Sequence, residues 1–201
     1  MSNMKYPIGI QSFEQIIQGG FVYVDKTDLV YQLVYSGKIY FLGRPRRFGK
    51  SLLVSTLEQY FRGNKELFKG LAIDKLETEW KQYPVFHIDF STGNYLNDGV
   101  LEDVLSDNLT EWESQYEVVR TSYDLGLRFQ KVLRAAHEKT GLGAVVLIDE
   151  YDKPILDVIE LDYQVEHLGK MISLEALFRC SLSITCSFLP HGQPSRRYPR
   201  R

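Results

Sequence analysis

The sequence has little of what marks secreted, membrane-spanning or nucleic-acid-coating proteins. It has two cysteines, Cys180 and Cys186, too few for a disulfide framework and without the spacing of a zinc site. No stretch resembles a signal peptide or a membrane span, so we expect a reducing cytoplasmic location and no membrane partner. The net charge of −2 provides no general basic field. Nucleic acid is therefore not expected as the primary ligand.

The length suits one domain with a full core. The chain has 201 residues, of which 44% are hydrophobic and 25% are charged, as in ordinary globular proteins. Its last twelve residues hold four of the 24 basic residues, three of the seven prolines and no acidic residue. We therefore expect a folded domain over residues 1–172. The remainder, 173–201, is expected to be an atypical tail, disordered or produced by truncation or a frame shift.

The segment 38–53, KIYFLGRPRRFGKSLL, carries the most informative pattern. Residues 39–42 are β-branched and aromatic and predict a buried strand, and helical apolar spacing follows Ser51. A strand, a loop and a helix that opens at Gly-Lys-Ser are the context of a phosphate-binding loop. The unpaired N–H groups of that helix would hold a polyphosphate. Lys50 would contact the β- and γ-phosphates, and the Ser51 hydroxyl would bind Mg²⁺.

The loop departs from the common phosphate-loop pattern at its first glycine. That glycine normally lies six residues before the lysine, where this chain has Arg44, and Gly43 comes one residue too early. An arginine tolerates the positive φ of a tight turn poorly. The motif alone leaves two interpretations open: a nucleotide site, or a solvated basic loop between a strand and a helix. In the first, the nucleotide-binding residues are Arg46, Arg47, Phe48, Gly49, Lys50, Ser51 and Leu52.

A second segment points to the same chemistry. Residues 144–150, AVVLIDE, are continuously apolar before two acids, which is typical of a parallel strand covered on both faces. Ligands bind at the carboxyl ends of such strands. Asp149 suits Mg²⁺, directly or through water, and Glu150 suits polarisation of an attacking water. Together the two segments predict a nucleotide-phosphate site in which Lys50 and Glu150 are the catalytic residues.

The other predicted elements have sufficient structural explanations. Strands are predicted over 21–24 and 84–90, and helices over 97–115 and 123–139. Asp25 or Thr27 can cap a helix that ends before Gly37. We interpret His87 as a core histidine rather than a ligand. Asp89 either points into the site from its strand end or caps the following turn.

The full set of motifs resembles the AAA-ATPase-like family of bacterial proteins, which often carry a restriction-endonuclease-like domain further along. The resemblance covers roughly residues 5–170 and rests on Pro7-Ile8-Gly9-Ile10 with Phe13, on Tyr23-Val24-Asp25-Lys26-Thr27, on Phe41 with Arg44-Pro45-Arg46-Arg47-Phe48-Gly49-Lys50-Ser51-Leu52, on Pro84-Val85 with Asp89-Phe90-Ser91, and on Leu147-Ile148-Asp149-Glu150-Tyr151-Asp152-Lys153-Pro154. In that family the missing first glycine is usual. The resemblance implies an α/β phosphate-loop NTPase fold with three α/β/α layers and a mostly parallel sheet. It also implies ATP and Mg²⁺ as cofactors, with Lys50, Ser51, Asp149 and Glu150 in the roles given above.

The resemblance fails after about Ile172, where family members continue into a helix and a strand bearing a polar sensor residue. We therefore expect the fold to be incomplete at its C-terminus unless residues 180–189 supply that strand. No nuclease cluster of carboxylates and lysine is present, so that activity is not expected.

Three functions remain. The first is Mg²⁺-dependent ATP hydrolysis coupled to a partner activity, in an oligomer or with a partner protein. The second is a nucleotide-binding scaffold or fragment without turnover, since hydrolysis in this class usually needs the sensor strand and an arginine from a neighbour. Arg46 or Arg47 could act as such an arginine or could shape the loop. The third is nucleic-acid binding through the basic loop and tail.

Overall fold

The computed structural model describes residues 5–43 and 47–158, which form a mixed α/β structure. The elements are α1 (Phe13–Gln18), α2 (Thr27–Ser36), α3 (Lys50–Phe61), β1 (Val85–Asp89), α4 (Val100–Gln115), α5 (Leu125–Thr140), β2 (Val145–Asp149) and α6 (Lys153–Val158). Short 3₁₀ helices lie at Lys65–Phe68, Ala72–Lys75 and Phe90–Thr92. The expectations for Arg46 and for the tail over 173–201 lie outside the described residues. Within the described ranges, no helix has both the length and the apolar character needed to cross a membrane.

The two strands form a small parallel sheet. β1 pairs with β2 in a register that sets Val85 beside Val145 and Asp89 beside Asp149. Helices α4 and α5 lie between the strands in sequence and supply the long crossover connection that parallel pairing requires. Both strands are confirmed where the sequence predicted them, each one residue shorter at either end.

Helices cover both faces of this sheet. Phe86 and Ile88 point toward α4 and α5 and are buried in the apolar cluster on that face. Successive side chains of a strand point to opposite faces, so His87 and Asp89 point to the other one. There the side chain of His87 meets Glu58 of α3. The described part is therefore α/β with a small parallel sheet, and the larger sheet of a complete phosphate-loop fold stays a prediction.

A buried ion pair joins α4 and α5 within the larger apolar cluster. The Arg128 side chain of α5 is 3% exposed, and Glu113 of α4 is 6% exposed. Arg128 Nε donates to Glu113 Oε1 at 2.7 Å, and Arg128 Nη2 donates to Glu113 Oε2 at 3.0 Å. The hydrogen bonds from Arg128, followed by those from Arg120, hold the pKa of the Glu113 carboxyl below its usual value. Two charges can be buried here because each finds its partner in the other helix.

A second apolar cluster lies under α1, α2 and the far end of α3, and Asp25 fixes one edge of it. Asp25 Oδ1 accepts hydrogen bonds from the N–H and hydroxyl of Thr27, at 2.9 and 2.7 Å. Asp25 Oδ2 accepts from the N–H of Ala72 at 2.7 Å, and the fully buried Thr27 hydroxyl accepts from Ile73 N–H at 3.1 Å. Burial alone would raise the pKa of Asp25, but these hydrogen bonds outweigh it and lower the pKa. Asp25 therefore has a structural role, although the N-cap residue of α2 is Lys26 and no side chain in the described structure caps this helix, so the capping prediction is wrong.

The strand predicted over residues 39–42 is wrong. The segment has no regular secondary structure, and Ile39 and Phe41 are 62% and 76% exposed. Apolar composition buries a strand only when a neighbouring strand pairs with it, and within residues 5–43 and 47–158 none pairs with this segment. The strand predicted over residues 21–24 is likewise reduced to a single bridge between Lys5 and Phe21.

Candidate functional site

The first turn of α3 has the features expected of the predicted phosphate loop. Gly49 precedes the helix with φ +75°, in the left-handed region that favours glycine. A Cβ at this position would contact nothing within 4 Å, so the backbone conformation rather than space selects the glycine. Lys50 is the first helical residue, and no side chain caps the helix start in the described structure. The unpaired N–H groups and the positive end of the helix dipole are thus available to an anion.

The direction of α3 brings this turn to the carboxyl end of the sheet. At the far end of α3, the carbonyl of Phe61 accepts a hydrogen bond of 2.8 Å from the N–H of Tyr83, two residues before β1 begins. At the near end, the ring of Phe41, in the segment leading to the loop, lies 5.0 Å from the ring of Tyr151 between centroids. Tyr151 follows β2 by two residues. Helix α3 therefore runs antiparallel to both strands, with Lys50 toward their acidic ends.

The carboxyl ends of the two strands carry acids in matching positions. Asp149 is 8% exposed and lies in register with Asp89, so both project on the α3 face of the sheet. Asp149 Oδ1 accepts a hydrogen bond from Glu150 N–H at 3.0 Å. Asp89 accepts from the N–H and hydroxyl of Ser91 at 2.8 and 2.9 Å, which confirms the turn-capping alternative for that residue.

Glu150, the predicted catalytic carboxylate, has an unusual backbone. Its φ of +51° lies in the left-handed region, which non-glycine residues enter rarely. Arg47, on the predicted loop, has φ +68°. Strained conformations of this kind cost on the order of 1–3 kcal/mol and concentrate at functional sites. Trp80 and Glu117, away from the predicted site, also have positive φ, so this conformation is not confined to the site residues.

A histidine and a glutamate connect α3 to the sheet beneath these acids. The Nδ1–H of His87 donates to Glu58 Oε2 at 3.0 Å, and Glu58 Oε1 accepts from Arg62 Nη2 at 2.8 Å. The hydrogen bond with Glu58 raises the pKa of His87 despite its partial burial, and nearby Asp89 and Asp149 add to the effect. The same bond to His87 holds the pKa of Glu58 below its ordinary value. Sequence reasoning identified His87 as a core histidine but missed its partner.

A lysine ties together the two loops that follow the strands. Lys153 Nζ donates to the carbonyl of Gly93 at 2.7 Å and to Asp157 Oδ2 at 2.6 Å. It also lies 5.2 Å from the centroid of the Tyr95 ring, where a cation is attracted to the π face. Lys153 therefore connects the turn after β2 to the turn after β1.

The remaining predicted residues take different positions around the first turn of α3. Arg47 and Phe48 are exposed on the loop, and Leu52 packs its side chain against the second apolar cluster. Leu52 could therefore contact a phosphate through its backbone N–H and not through its side chain. Ser51 and Asp149 offer hydroxyl and carboxylate oxygens, the donors that Mg²⁺ prefers. Within the described residues, no group of three or more His, Cys, Asp or Glu side chains could hold a metal ion without help from a ligand. The oxygen donors of these two residues suit Mg²⁺ chemically, and its remaining ligands would have to come from phosphate and water.

Comparison with known proteins agrees with the motifs. A family model described as "Predicted AAA-ATPase" matches residues 7–184. Over 158 residues the chain is 44% identical to a protein of Azotobacter chroococcum mcd 1 described as an uncharacterized protein in the vnfD 5′ region. That match includes 78% of this chain but 31% of the relative, so the chain spans about a third of the relative's length. No solved structure matches the chain.

Proposed function

The chain belongs to the family of predicted AAA-ATPases, and from that premise we propose that it binds ATP with Mg²⁺ at the first turn of α3 and hydrolyses it. The single observation that supports this most is the antiparallel course of α3. The course rests on the Tyr83–Phe61 hydrogen bond at one end and the Phe41–Tyr151 ring contact at the other. A phosphate chain held at the N–H groups after Gly49 would then extend toward Asp149 and Glu150.

Each residue has a role that follows from its chemistry. The N–H groups of the loop and the Lys50 ammonium bind the β- and γ-phosphates and offset their charge. Ser51 and Asp149 would hold Mg²⁺, which supplies further charge neutralisation on the phosphate oxygens when bound. Glu150 orients a water molecule for in-line attack on the γ-phosphate and accepts its proton at the carboxylate. Arg47 would shape the loop around the phosphates, and the sequence suggests the same role for Arg46.

Hydrolysis is further proposed to drive a partner activity. The chain spans about a third of its Azotobacter relative, so that activity would reside in a longer protein, an oligomer or a separate partner. A switch or motor of this kind needs a conformational response to the γ-phosphate. The loop and the turns after β1 and β2 are the parts that would contact it.

Paired substitutions test the phosphate and water roles separately. Lys50→Ala should weaken ATP binding roughly 10- to 150-fold, the effect of losing one charge-assisted contact. Lys65→Ala, at an exposed 3₁₀ helix, is the matched control and should bind normally. Unchanged affinity in Lys50→Ala, measured by titration calorimetry, would remove the phosphate assignment.

Glu150→Gln should bind ATP like the wild type but release phosphate about 10²- to 10⁴-fold more slowly. Glu117→Gln is its matched control, because Glu117 also has a positive φ, of 56°, but lies on the turn after α4. Equal phosphate release by Glu150→Gln and wild type would exclude Glu150 as the water-activating residue. ATP binding by the wild type with no phosphate release at all would favour the scaffold without turnover.

A further inference from the structure

The hydrogen bond between Glu58 and His87 requires one relative orientation of the two side chains and is largely shielded from water. Their side chains are 17% and 26% exposed, and the bond joins the last turn of α3 to the middle of β1. The other ring nitrogen of His87, Nε2, is buried and has no hydrogen-bond partner in the described structure. A buried polar atom without a partner is costly. An aliphatic residue would suit stability better at this position, which indicates that the histidine has a further role.

The two residues of this bond lie on the same faces of α3 and β1 as the residues of the candidate site. Glu58 follows Ser51 by seven residues, which places the two on the same face of α3 about 10.5 Å apart along its axis. His87 precedes Asp89 by two residues and so lies on the same face of β1. Asp89 is in register with Asp149 of β2. Together with the Tyr83–Phe61 hydrogen bond at the end of α3, this side-chain bond therefore sets how far the Ser51 end of the helix extends past the strand end that bears Asp149.

We propose that Glu58 and His87 are positioning residues that set the separation between the first turn of α3 and Asp149, and thereby the affinity for Mg²⁺-bound ATP. The inference rests on the proposed function. ATP without metal needs only the loop and Lys50, whereas Mg²⁺ between Ser51 and Asp149 needs both elements at one separation. Loss of the bond should therefore weaken the binding of Mg²⁺-bound ATP more than it weakens the binding of metal-free ATP.

The test compares the Kd of ATP in excess Mg²⁺ with the Kd in EDTA for each variant. Glu58→Ala should lower the ratio of metal-free to metal-bound Kd about tenfold, the change that one charge-assisted contact gives. Glu58→Gln still accepts a hydrogen bond from His87 and should recover most of the ratio. Arg62→Ala, which removes the other side-chain partner of Glu58, is the matched control and should keep the wild-type ratio. General destabilisation would leave the ratio unchanged in folded protein.

A second measurement needs no nucleotide. In the ATP-free protein, hydrogen exchange at the amides of residues 53–56, in the early turns of α3, should be faster in Glu58→Ala than in Arg62→Ala. A wild-type ratio in Glu58→Ala, or equal exchange in the two variants, would overturn the positioning role. If the wild type itself binds no ATP, the proposed function fails. The exchange comparison then decides alone whether Glu58 fixes the first turn of α3.

Discussion

Removing the carboxylate of Glu113 should destabilise the fold by about 3–5 kcal/mol, because it leaves a buried arginine without its counter-ion. Arg128 is 3% exposed, and after Glu113→Ala its remaining partners are neutral oxygens of Ser106 and Thr110. Neither can offset the charge. The loss is a large share of the roughly 5–15 kcal/mol that stabilises a typical domain. Replacing both residues, as Glu113→Leu with Arg128→Met, removes the charge as well and should recover most of the stability.

Urea denaturation followed by circular dichroism measures these differences. Arg120→Gln is the control on the exposed side of the same carboxylate. The Arg120 side chain is 39% exposed, so its loss should cost about 1 kcal/mol or less. Since the pKa of Glu113 is lowered in the fold, its contribution is present above the unfolded pKa and is lost as pH falls through the folded one. A loss below about 1 kcal/mol in Glu113→Ala, or a double variant as unstable as the single one, would refute the reasoning.

Three further changes test other parts of the fold. Asp25→Ala removes two hydrogen bonds to Thr27, the first residue of α2, and one to Ala72 of the 3₁₀ helix, and should cost about 2 kcal/mol in urea titrations; an unchanged midpoint would contradict its role. Phe86→Ala empties the centre of the larger apolar cluster and should cost about 3–5 kcal/mol, seen as a lower melting temperature. His87 and Glu58 should stabilise the fold most in the pH range between the unfolded pKa of Glu58, about 4.3, and the unfolded pKa of His87, about 6.5. Stability from His87 is complete below its unfolded pKa and is lost as pH rises through the raised folded value, whereas stability from Glu58 is lost as pH falls through its lowered one. Wild-type stability measured from pH 4 to 9 should therefore show a slope above about pH 6.5 that His87→Gln lacks.

How much the sequence could predict depended on whether a signal was local. The continuous apolar run before Asp149 indicated β2, Pro84 marked the start of β1, and Gly49-Lys50-Ser51 located the start of α3 correctly. The strand predicted over residues 39–42 was wrong because burial depends on a neighbour that composition cannot supply. Glu58 was missed for a similar reason. Its seven-residue spacing from Ser51 was readable from the sequence, but its pairing with His87 exists only after α3 packs on β1.

The left-handed backbone at Glu150 determines where its side chain can go. In the described structure β2 ends at Asp149, and the reversed φ at the next residue turns the chain away from the strand direction. The glutamate is therefore carried off the plane of the sheet instead of continuing its alternation of faces. Two adjacent acids that would point to opposite sides of a regular strand are thereby released from that alternation, which the proposed function requires if the first is to hold a cation and the second to align a water molecule.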